Sequence, residues 1–431
     1  MKERRKIIII GGGFAGLTAA KELKNTDADV TIIDKTNHHL FQPLLYQVAT
    51  GALSPGDIAV PIRAILDENS KIKVLLGEVK EIFPDQKKLK LVDGREIDFD
   101  QLIMAPGSQY NYFGNEDWKV FAPGLKSISD ALKLRERILL SLEEAEQIKA
   151  PADRKPFLTY VIIGGGPTGV EMAGAIAEIA GRSMLHGFKN IKKDEIKVFL
   201  VEASSEILNG FGEPLGEKAR KMLENLGVKV LRNTSVTKIE KNRAYLKVGS
   251  IETPNIIWAA GIKASPLLET LQVEKDRMGR VFVNQDLSLS KYPDIFVLGD
   301  AAHCEDIAGN PFPALASVAR QQGKFVGEML KKNPKVGSRP KFAYWDRGKI
   351  ATIGRAKAVA DVNGLKFSGF FAWFLWSAIH IMLLVGFRNR LHVGIEWMWN
   401  YFTFKRGVQL ITDRSDCEHC RMPELQKQVS C

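Results

Sequence analysis

Two glycine-rich segments concentrate the chemistry of this chain. Lys6-Ile-Ile-Ile-Ile-Gly11-Gly-Gly13-Phe-Ala-Gly16 and Tyr160-Val-Ile-Ile-Gly164-Gly-Gly166-Pro-Thr-Gly169 each pass from a short apolar strand through Gly-x-Gly-x-x-Gly into a helix-forming stretch. In such a cradle the first glycine permits a tight turn. The second lets a pyrophosphate approach the backbone, and the third lets helix and sheet pack closely. The anion then rests on free N–H groups at the helix N-terminus. The next strand of the first unit, Val30-Thr-Ile-Ile-Asp34, ends in an acid at the spacing that ribose recognition requires. In the second unit, Ile196-Lys-Val-Phe-Leu-Val-Glu202 ends the same way after a longer helix and a basic loop. A carboxylate there favours the free 2′-hydroxyl of NAD and repels the phosphate of NADP. Two cradles in one chain imply two dinucleotides, read most economically as a flavin beside a nicotinamide set for hydride transfer.

The elements that must position these cradles are those of an α/β chain. Apolar strands recur at Val74-Leu-Leu, Lys88-Leu-Lys-Leu-Val and Gln101-Leu-Ile-Met-Ala, the last turning at Ala105-Pro-Gly. Residues 127–150 read as an amphipathic helix with Ser127 or Ser129 as N-cap. Pro151 and Pro156 punctuate the passage into the second cradle, whose unit ends its core at Ile256-Ile-Trp-Ala-Ala-Gly261. Arg280-Val-Phe-Val then leads back, and Ile295-Phe-Val-Leu-Gly299-Asp300 supplies a close backbone approach and an acid suited to a flavin ribityl chain. The expected fold is therefore two Rossmann-like domains, the nicotinamide domain inserted in a split flavin domain.

Composition narrows the setting. At 431 residues the chain is long enough for two or three domains. The formal net charge of +11 points to an anionic partner surface. The basic residues are dispersed and no nucleic-acid motif is present, so no nucleic acid is expected and an anionic membrane leaflet fits better. Met1-Lys-Glu-Arg-Arg-Lys runs straight into the first strand, an apolar stretch too short for a signal peptide, so a cytoplasmic catalytic body is expected. The four cysteines, Cys304, Cys417, Cys420 and Cys431, leave the N-terminal half without a redox pair for a disulfide reductase. Cys417-Glu-His-Cys420 lacks a second ligand pair, so a tail of reduced thiols and no metal are expected, with a metal or redox role as the alternative.

Gly369 to Phe387 is a 19-residue stretch without formal charge, followed by Arg388, Arg390 and a segment mixing Trp, Tyr and charge. Ser377 and His380 are awkward at a bilayer centre. A monotopic anchor of two helices in one leaflet is the favoured reading. A single crossing or a buried core helix is the alternative.

These residues resemble the pyridine nucleotide–disulfide oxidoreductase superfamily and, within it, the type II NADH:quinone oxidoreductases. The resemblance covers the chain to about residue 412 and is most specific at His38-His-Leu-Phe-Gln-Pro-Leu-Leu-Tyr-Gln-Val-Ala-Thr50-Gly, at Gly299-Asp300-Ala-Ala and at Trp373–Arg414. It implies FAD and NADH as cofactors, a membrane quinone as acceptor and no proton pumping. It also implies a monotopic or peripheral position on the cytoplasmic face of the cell inner membrane, and a homodimer. Phe14, Ala15, Lys35, Thr50, Val79, Ala105 and Ala316 are expected to complete the flavin contacts, and Pro167, Thr168 and Gly261 the nicotinamide contacts. The family motif Ala-Gln-x-Ala-x-Gln at the quinone pocket appears here as Ala316-Ser317-Val-Ala319-Arg320-Gln321. Gln321 is thereby a quinone candidate, or else a helix residue pairing with backbone or solvent. Ser317 replaces the first glutamine, and a water is needed for its shorter hydroxyl to reach a quinone carbonyl. Ala105-Pro-Gly also departs from the usual Ala-Thr-Gly. Glu171 matches an acid near the nucleotide that influences quinone or proton access; the plainer reading is a helix N-terminal acid favoured by the macrodipole. The domain boundaries expected are 1–155 and 281–335 for the two parts of the FAD domain and 156–280 for the NADH domain. Residues 336–412 form a C-terminal domain with its anchor at 369–406, and 413–431 a polar tail. Sulfide:quinone and ferredoxin-type flavin reductases, and an NADH-responsive flavoprotein scaffold, are the alternatives; the first needs cysteines near the flavin that this chain lacks.

Glu202 makes a direct demand. NADPH is expected to give a kcat/KM well below that of NADH, and equal values for the two would remove Glu202 from ribose selection.

Overall fold

The computed structural model describes residues 4–66, 71–179, 187–403, 408, 410 and 411. Cys417, Cys420, Cys431, the rest of the tail 413–431 and anchor residues 404–406 lie outside the described residues. The principal strands in chain order are β1 (Arg5–Ile10), β2 (Ala28–Asp34), β3 (Lys73–Leu76), β4 (Gln101–Met104), β5 (Thr159–Ile163), β6 (Lys197–Val201), β7 (Val228–Leu231), β8 (Asn255–Trp258), β9 (Ile295–Val297), β10 (Lys349–Gly354), β11 (Lys357–Val362) and β12 (Leu365–Gly369). The helices that matter for function are α1 (Phe14–Glu22), α2 (Leu45–Ala49), α3 (Ile128–Gln147), α4 (Pro167–Glu178), α5 (Ala316–Lys332), α6 (Phe370–Leu383) and α7 (Phe387–Thr403).

Two compact units share the chain. The first comprises Met1–Leu40, Ala59–Gln109 and Ile262–Arg347. Its five-stranded sheet has the order β9-β4-β1-β2-β3 and is parallel throughout. The chain winds outward from β1 through β2 to β3, then returns to the other side of β1. The reversal of strand order falls at the glycine turn after Ile10, the place where open α/β sheets bind ligands. Strand β9 is contributed only after Gly261, so the sheet is discontinuous in sequence, as the split flavin domain requires. Ile7, Ile9, Ile32, Ile103 and Phe296 have no exposed surface, which a parallel strand covered on both faces demands. Helix α1 is small-faced, with Ala19 and Ala20 fully buried. It meets α5 so closely that a β-carbon on Gly323 would overlap the carbonyl of Ala15, and one on Gly327 would lie 2.6 Å from Glu22 Cβ.

The second unit comprises Phe41–Ile58, Tyr110–Gly261 and Gly348–Cys431. Its parallel sheet, β7-β6-β5-β8, repeats the same reversal at β5. Ser127 caps α3 in a reciprocal box: its Oγ accepts from Asp130 N at 3.1 Å, and Asp130 Oδ2 accepts from Ser127 N at 2.9 Å. Gly174 in α4 lets that helix lie directly on the Ile353 carbonyl of β10.

The antiparallel sheet β10-β11-β12 carries the chain to Gly369, where φ is +87°. Helix α6 follows and stops before Gly386, φ +88°, and α7 starts at Phe387. The apolar run 369–387 is thus a strand end, a helix and a turn. Among the described residues no helix is long and apolar enough to cross a membrane. The two polar residues of the run satisfy themselves: Ser377 Oγ donates to Trp373 O at 2.9 Å, and His380 Nδ1 donates to Trp376 O at 2.7 Å.

The α1–α5 contact is testable by overpacking. Gly323→Ala is expected to lower stability by about 1–3 kcal/mol, read as a lower Tm. Gly337→Ala, whose β-carbon would meet nothing within 4 Å, should leave Tm unchanged; equal Tm values for the two variants would contradict this packing.

Candidate functional site

In the first unit, the turn after β1 is built on one carboxylate. Asp34 Oδ2 accepts the Gly12 N–H at 2.5 Å, while Oδ1 accepts Thr36 N at 2.6 Å and Thr36 Oγ1 at 2.8 Å. Gly11 has φ +96°, and a β-carbon there would strike the backbone of Ala105. Gly16 faces the Gly11 carbonyl equally closely, whereas a β-carbon on Gly13 would meet nothing within 4 Å. No protein group explains why Gly13 must lack a side chain. A pyrophosphate does, since it would fill that space. Helix α1 begins there without a side-chain cap, leaving N–H groups for an anion.

The second unit repeats the arrangement bond for bond. Glu202 Oε2 accepts the Gly165 N–H at 2.6 Å, and Oε1 accepts Ser204 N at 2.7 Å and Ser204 Oγ at 2.6 Å. Gly164 has φ +109° and lies against Ala259; Gly169 faces Gly164 O; Gly166 is open. Pro167 and Thr168 are exposed at the start of α4, which also lacks a side-chain cap. Gly261, φ +80°, lies under the Phe113 ring, 2.9 Å from a β-carbon position. Both donor sets fit a dinucleotide.

The remaining candidates of the first unit lie on several of its elements. Ser108 Oγ donates to Asp300 Oδ2 at 2.6 Å. Gly299 has φ +67°, and its N–H donates to Gln322 Oε1 at 2.6 Å. Gln322, almost fully buried, fixes the approach of the Gly299 turn, a role hidden in the sequence behind its neighbour Gln321. Val79 and Ala105 are buried, Ala316 opens α5, and Lys35 is exposed. His39 is buried, bonded by Nδ1 to Gly12 O at 3.0 Å and set edge-on to Phe14. Burial, foremost, pushes its pKa down, so it is neutral. Gln321 spends its amide on one backbone unit: Nε2 donates to Trp345 O at 2.9 Å and Oε1 accepts Trp345 N at 3.0 Å. Ser317 Oγ lies 3.0 Å from Tyr344 Oη. Both residues therefore anchor the 344–345 segment. Cys304 is buried, and burial pushes its thiol up to about 11, which makes it a poor nucleophile. Among the described residues no cluster of His, Cys, Asp and Glu could hold a metal ion.

The second unit also contains a chamber of about 410 Å³ that sequence reading did not anticipate. Its walls come from α2 and the turn after it (Tyr46, Gln47, Thr50), from α4 (Glu171), from β10 (Thr352) and from α6 and α7 (Trp373, Trp376, Trp397, Asn400, Tyr401). Thr50 Oγ1 donates to Tyr46 O at 2.9 Å. Trp397 Nε1 donates to Gln47 Oε1 at 2.8 Å, and Gln47 Nε2 to Tyr46 Oη at 2.9 Å, which ties α7 to α2. Trp376 and Trp397 stack at 5.1 Å. Glu171 is half-buried at the border of this void. Desolvation pushes its pKa up to about 8 against one opposing bond from the Thr352 backbone. A helix N-terminal acid held by the macrodipole alone would shift the other way.

Residues 5–323 match the pyridine nucleotide-disulphide oxidoreductase family, and residues 346–406 match the NDH2 C-terminal domain. The chain is 40% identical to the type II NADH:quinone oxidoreductase Ndh of Mycobacterium tuberculosis, over 98% of this chain and 93% of that protein. Its fold is similar to NDH2 from Plasmodium falciparum in complex with NADH, with a TM-score of 0.87 at 21% identity, covering 94% of this chain and all of that one. It is also similar to the sulfide:quinone oxidoreductase of Aquifex aeolicus, with a TM-score of 0.71 at 16% identity, covering 93% of this chain and 95% of that one. Fold alone thus spans more than one activity.

The open glycines give the sharpest test of the cradles. Gly166→Ala is expected to fold with an unchanged Tm but to raise KM for NADH about tenfold, because its methyl group occupies the pyrophosphate position. An unchanged KM would show that the nucleotide lies elsewhere.

Proposed function

The chain belongs to the type II NADH:quinone oxidoreductases, and we propose that it oxidises NADH through FAD and delivers two electrons to a membrane quinone without pumping protons. The observation that carries this reading is the duplicated glycine–carboxylate cradle, one in each unit. When bound, FAD supplies the redox chemistry, taking hydride from the nicotinamide and passing electrons to the acceptor. The side chains bind, orient and exclude water.

Gly11, Gly13, Gly16 and Asp34 hold the adenosine diphosphate half of FAD, with Phe14, Ala15, Lys35, Thr50, Val79, Ala105 and Ala316 completing its contacts. Gly299 and Asp300 hold the ribityl chain. Gly164, Gly166, Pro167, Thr168, Gly169, Glu202 and Gly261 hold NADH. The domain boundaries proposed are those that the sequence suggests, 1–155, 156–280, 281–335 and 336–412. The quinone takes the aromatic chamber. Glu171, protonated at neutral pH by its desolvation, gives a proton to the reduced acceptor there. Ser317 and Gln321 serve the acceptor end of the flavin domain by holding Tyr344 and Trp345 in place.

Helices α6 and α7 support a lipid-facing role. Each has one apolar face turned inward, with Ala372, Trp376 and Val393 buried. Each also turns apolar residues outward: Phe371, Phe374 and Met382 on α6, and Phe387, Leu391, Ile395, Met398, Trp399 and Phe402 on α7. A helix apolar on both faces belongs at a lipid boundary. Arg388 and Arg390 stand beside this surface for anionic headgroups. On this reading the enzyme works as a monotopic homodimer on the cytoplasmic face of the inner membrane, and quinone reaches the chamber from the leaflet.

Two outcomes check this account. Glu171 is protonated below about pH 8 and ionised above it, so quinone-dependent turnover should fall as pH rises through that value. Glu171→Gln, neutral at every pH, should lower turnover on the order of a hundredfold and abolish that limb while NADH still bleaches the flavin. An unchanged profile in the variant would assign the proton elsewhere. The double variant Phe371→Asp, Phe402→Asp should move the protein from the membrane pellet to the supernatant with NADH-dependent flavin bleaching intact; continued pelleting would contradict the lipid-facing role.

A further inference from the structure

Several polar groups around the chamber are paired within the protein: Trp397, Gln47 and Tyr46 form a relay, and Arg355 Nη1 donates to Tyr401 O at 2.7 Å. Among the buried polar atoms of the described residues that line it, two have no partner. The indole Nε1 of Trp376 is buried and donates to nothing, and Asn400 Oδ1 is buried and accepts from nothing. Both residues line the chamber. A buried donor without an acceptor is costly in free energy, and such exceptions in a native fold require a reason. Nor is the Trp376 orientation loose. Only 2% of its surface is exposed, and its ring stacks on His380 at 4.3 Å and on Trp397 at 5.1 Å. Neighbouring aromatics therefore fix the direction of its N–H bond.

We propose that Trp376 Nε1 and the Asn400 amide form the handle for one ring oxygen of the quinone and recognise it in both oxidation states. This rests on the reading of the chamber as the quinone site. A quinone carbonyl has two lone pairs and no proton. The hydroquinone hydroxyl formed from it has one proton to give and lone pairs to receive. Trp376 donates to either form. The Asn400 amide serves both by turning over: its NH2 donates to the carbonyl, and its Oδ1 accepts from the hydroxyl. The ring oxygen keeps one position while its hydrogen-bonding character inverts. A single ordered water that accepts from Trp376 and donates to Asn400 is the competing occupant.

The test uses the full chain in detergent with NADH and a short-chain quinone. Trp376→Phe removes the N–H together with the five-membered ring that carries it, and Asn400→Leu replaces the amide by an apolar group of the same branching. Each is expected to raise KM for quinone about three- to tenfold, the value of one hydrogen bond. KM for NADH and the rate of flavin bleaching by NADH should not move. Asn400→Asp, an acceptor only, should raise KM for quinone yet preserve product inhibition by the hydroquinone, whereas Asn400→Leu should weaken both. Unchanged quinone KM in folded, flavin-retaining Trp376→Phe and Asn400→Leu overturns the proposal; should Trp376→Phe fail to fold, the Asn400 variants decide. Ala52→Trp, which fills the chamber from the α2 side, separates the two claims. If it abolishes quinone turnover while the handle variants leave KM alone, the chamber stands and the handle falls. If quinone turnover survives it, the chamber reading falls as well.

Discussion

At the C-terminal end of the second strand of each unit, a carboxylate grips the glycine turn of the first strand, and both cradles are organised around that contact. Asp34 and Glu202 each bind the N–H of the middle glycine with one oxygen and an N–H and hydroxyl two residues downstream with the other. The turn needs a positive φ at Gly11 and Gly164, which only glycine adopts readily. The carboxylate holds that turn where the helix N-terminus points its free N–H groups at one place. The remaining lone pairs of the same acid are those proposed to receive the ribose hydroxyls. On that proposal structure and recognition use one group, and exchanging Asp34 or Glu202 for an amide disturbs both.

A second constraint governs the C-terminal helices. They cover a chamber with one face and present Phe371, Phe374, Met398 and Phe402 outward with the other. That double demand fits a strongly apolar α6 followed by an α7 that mixes outward apolar residues with Arg388, Arg390 and Glu396, neither of them long and apolar enough to cross a bilayer. Aromatic residues at three- and four-residue spacing, Trp373 and Trp376 on α6, Trp397 and Tyr401 on α7, fall on one face of each helix and form the chamber wall. The hydrogen bond from Trp397 to Gln47, and the contact of His392 Nδ1 with Asp57 Oδ1 at 2.9 Å, fasten α7 to the residues around α2. The two C-terminal helices thereby help to shape the space in which the acceptor is proposed to bind.

Both cradles and the split of the first sheet were legible in the sequence because each depends on local spacing. An apolar strand, three glycines and an acid at the next strand end leave few other folds open, and Ser127, one of two N-cap candidates beside Ser129, proves to be the cap of α3. Other features were hidden for physical reasons. The chamber is assembled from segments near residues 46, 171, 352 and 373–401, whose proximity no local pattern encodes. Gln322 is distinguished from Gln321 only by which face of α5 it occupies: one is buried on the Gly299 turn, the other clamps Trp345. The run 369–387 read as continuous because hydropathy is blind to backbone conformation, whereas Gly369 and Gly386 at positive φ break it into separate elements.

The most direct measurement is an anaerobic absorbance record of the flavin in the detergent-solubilised protein, first with NADH and then with a short-chain quinone. The account predicts bleaching on NADH addition and rapid recovery of the oxidised spectrum when quinone follows. Bleaching without recovery would leave both nucleotide cradles in place and contradict the quinone as acceptor. Absence of bleaching would contradict the electron path at its first step.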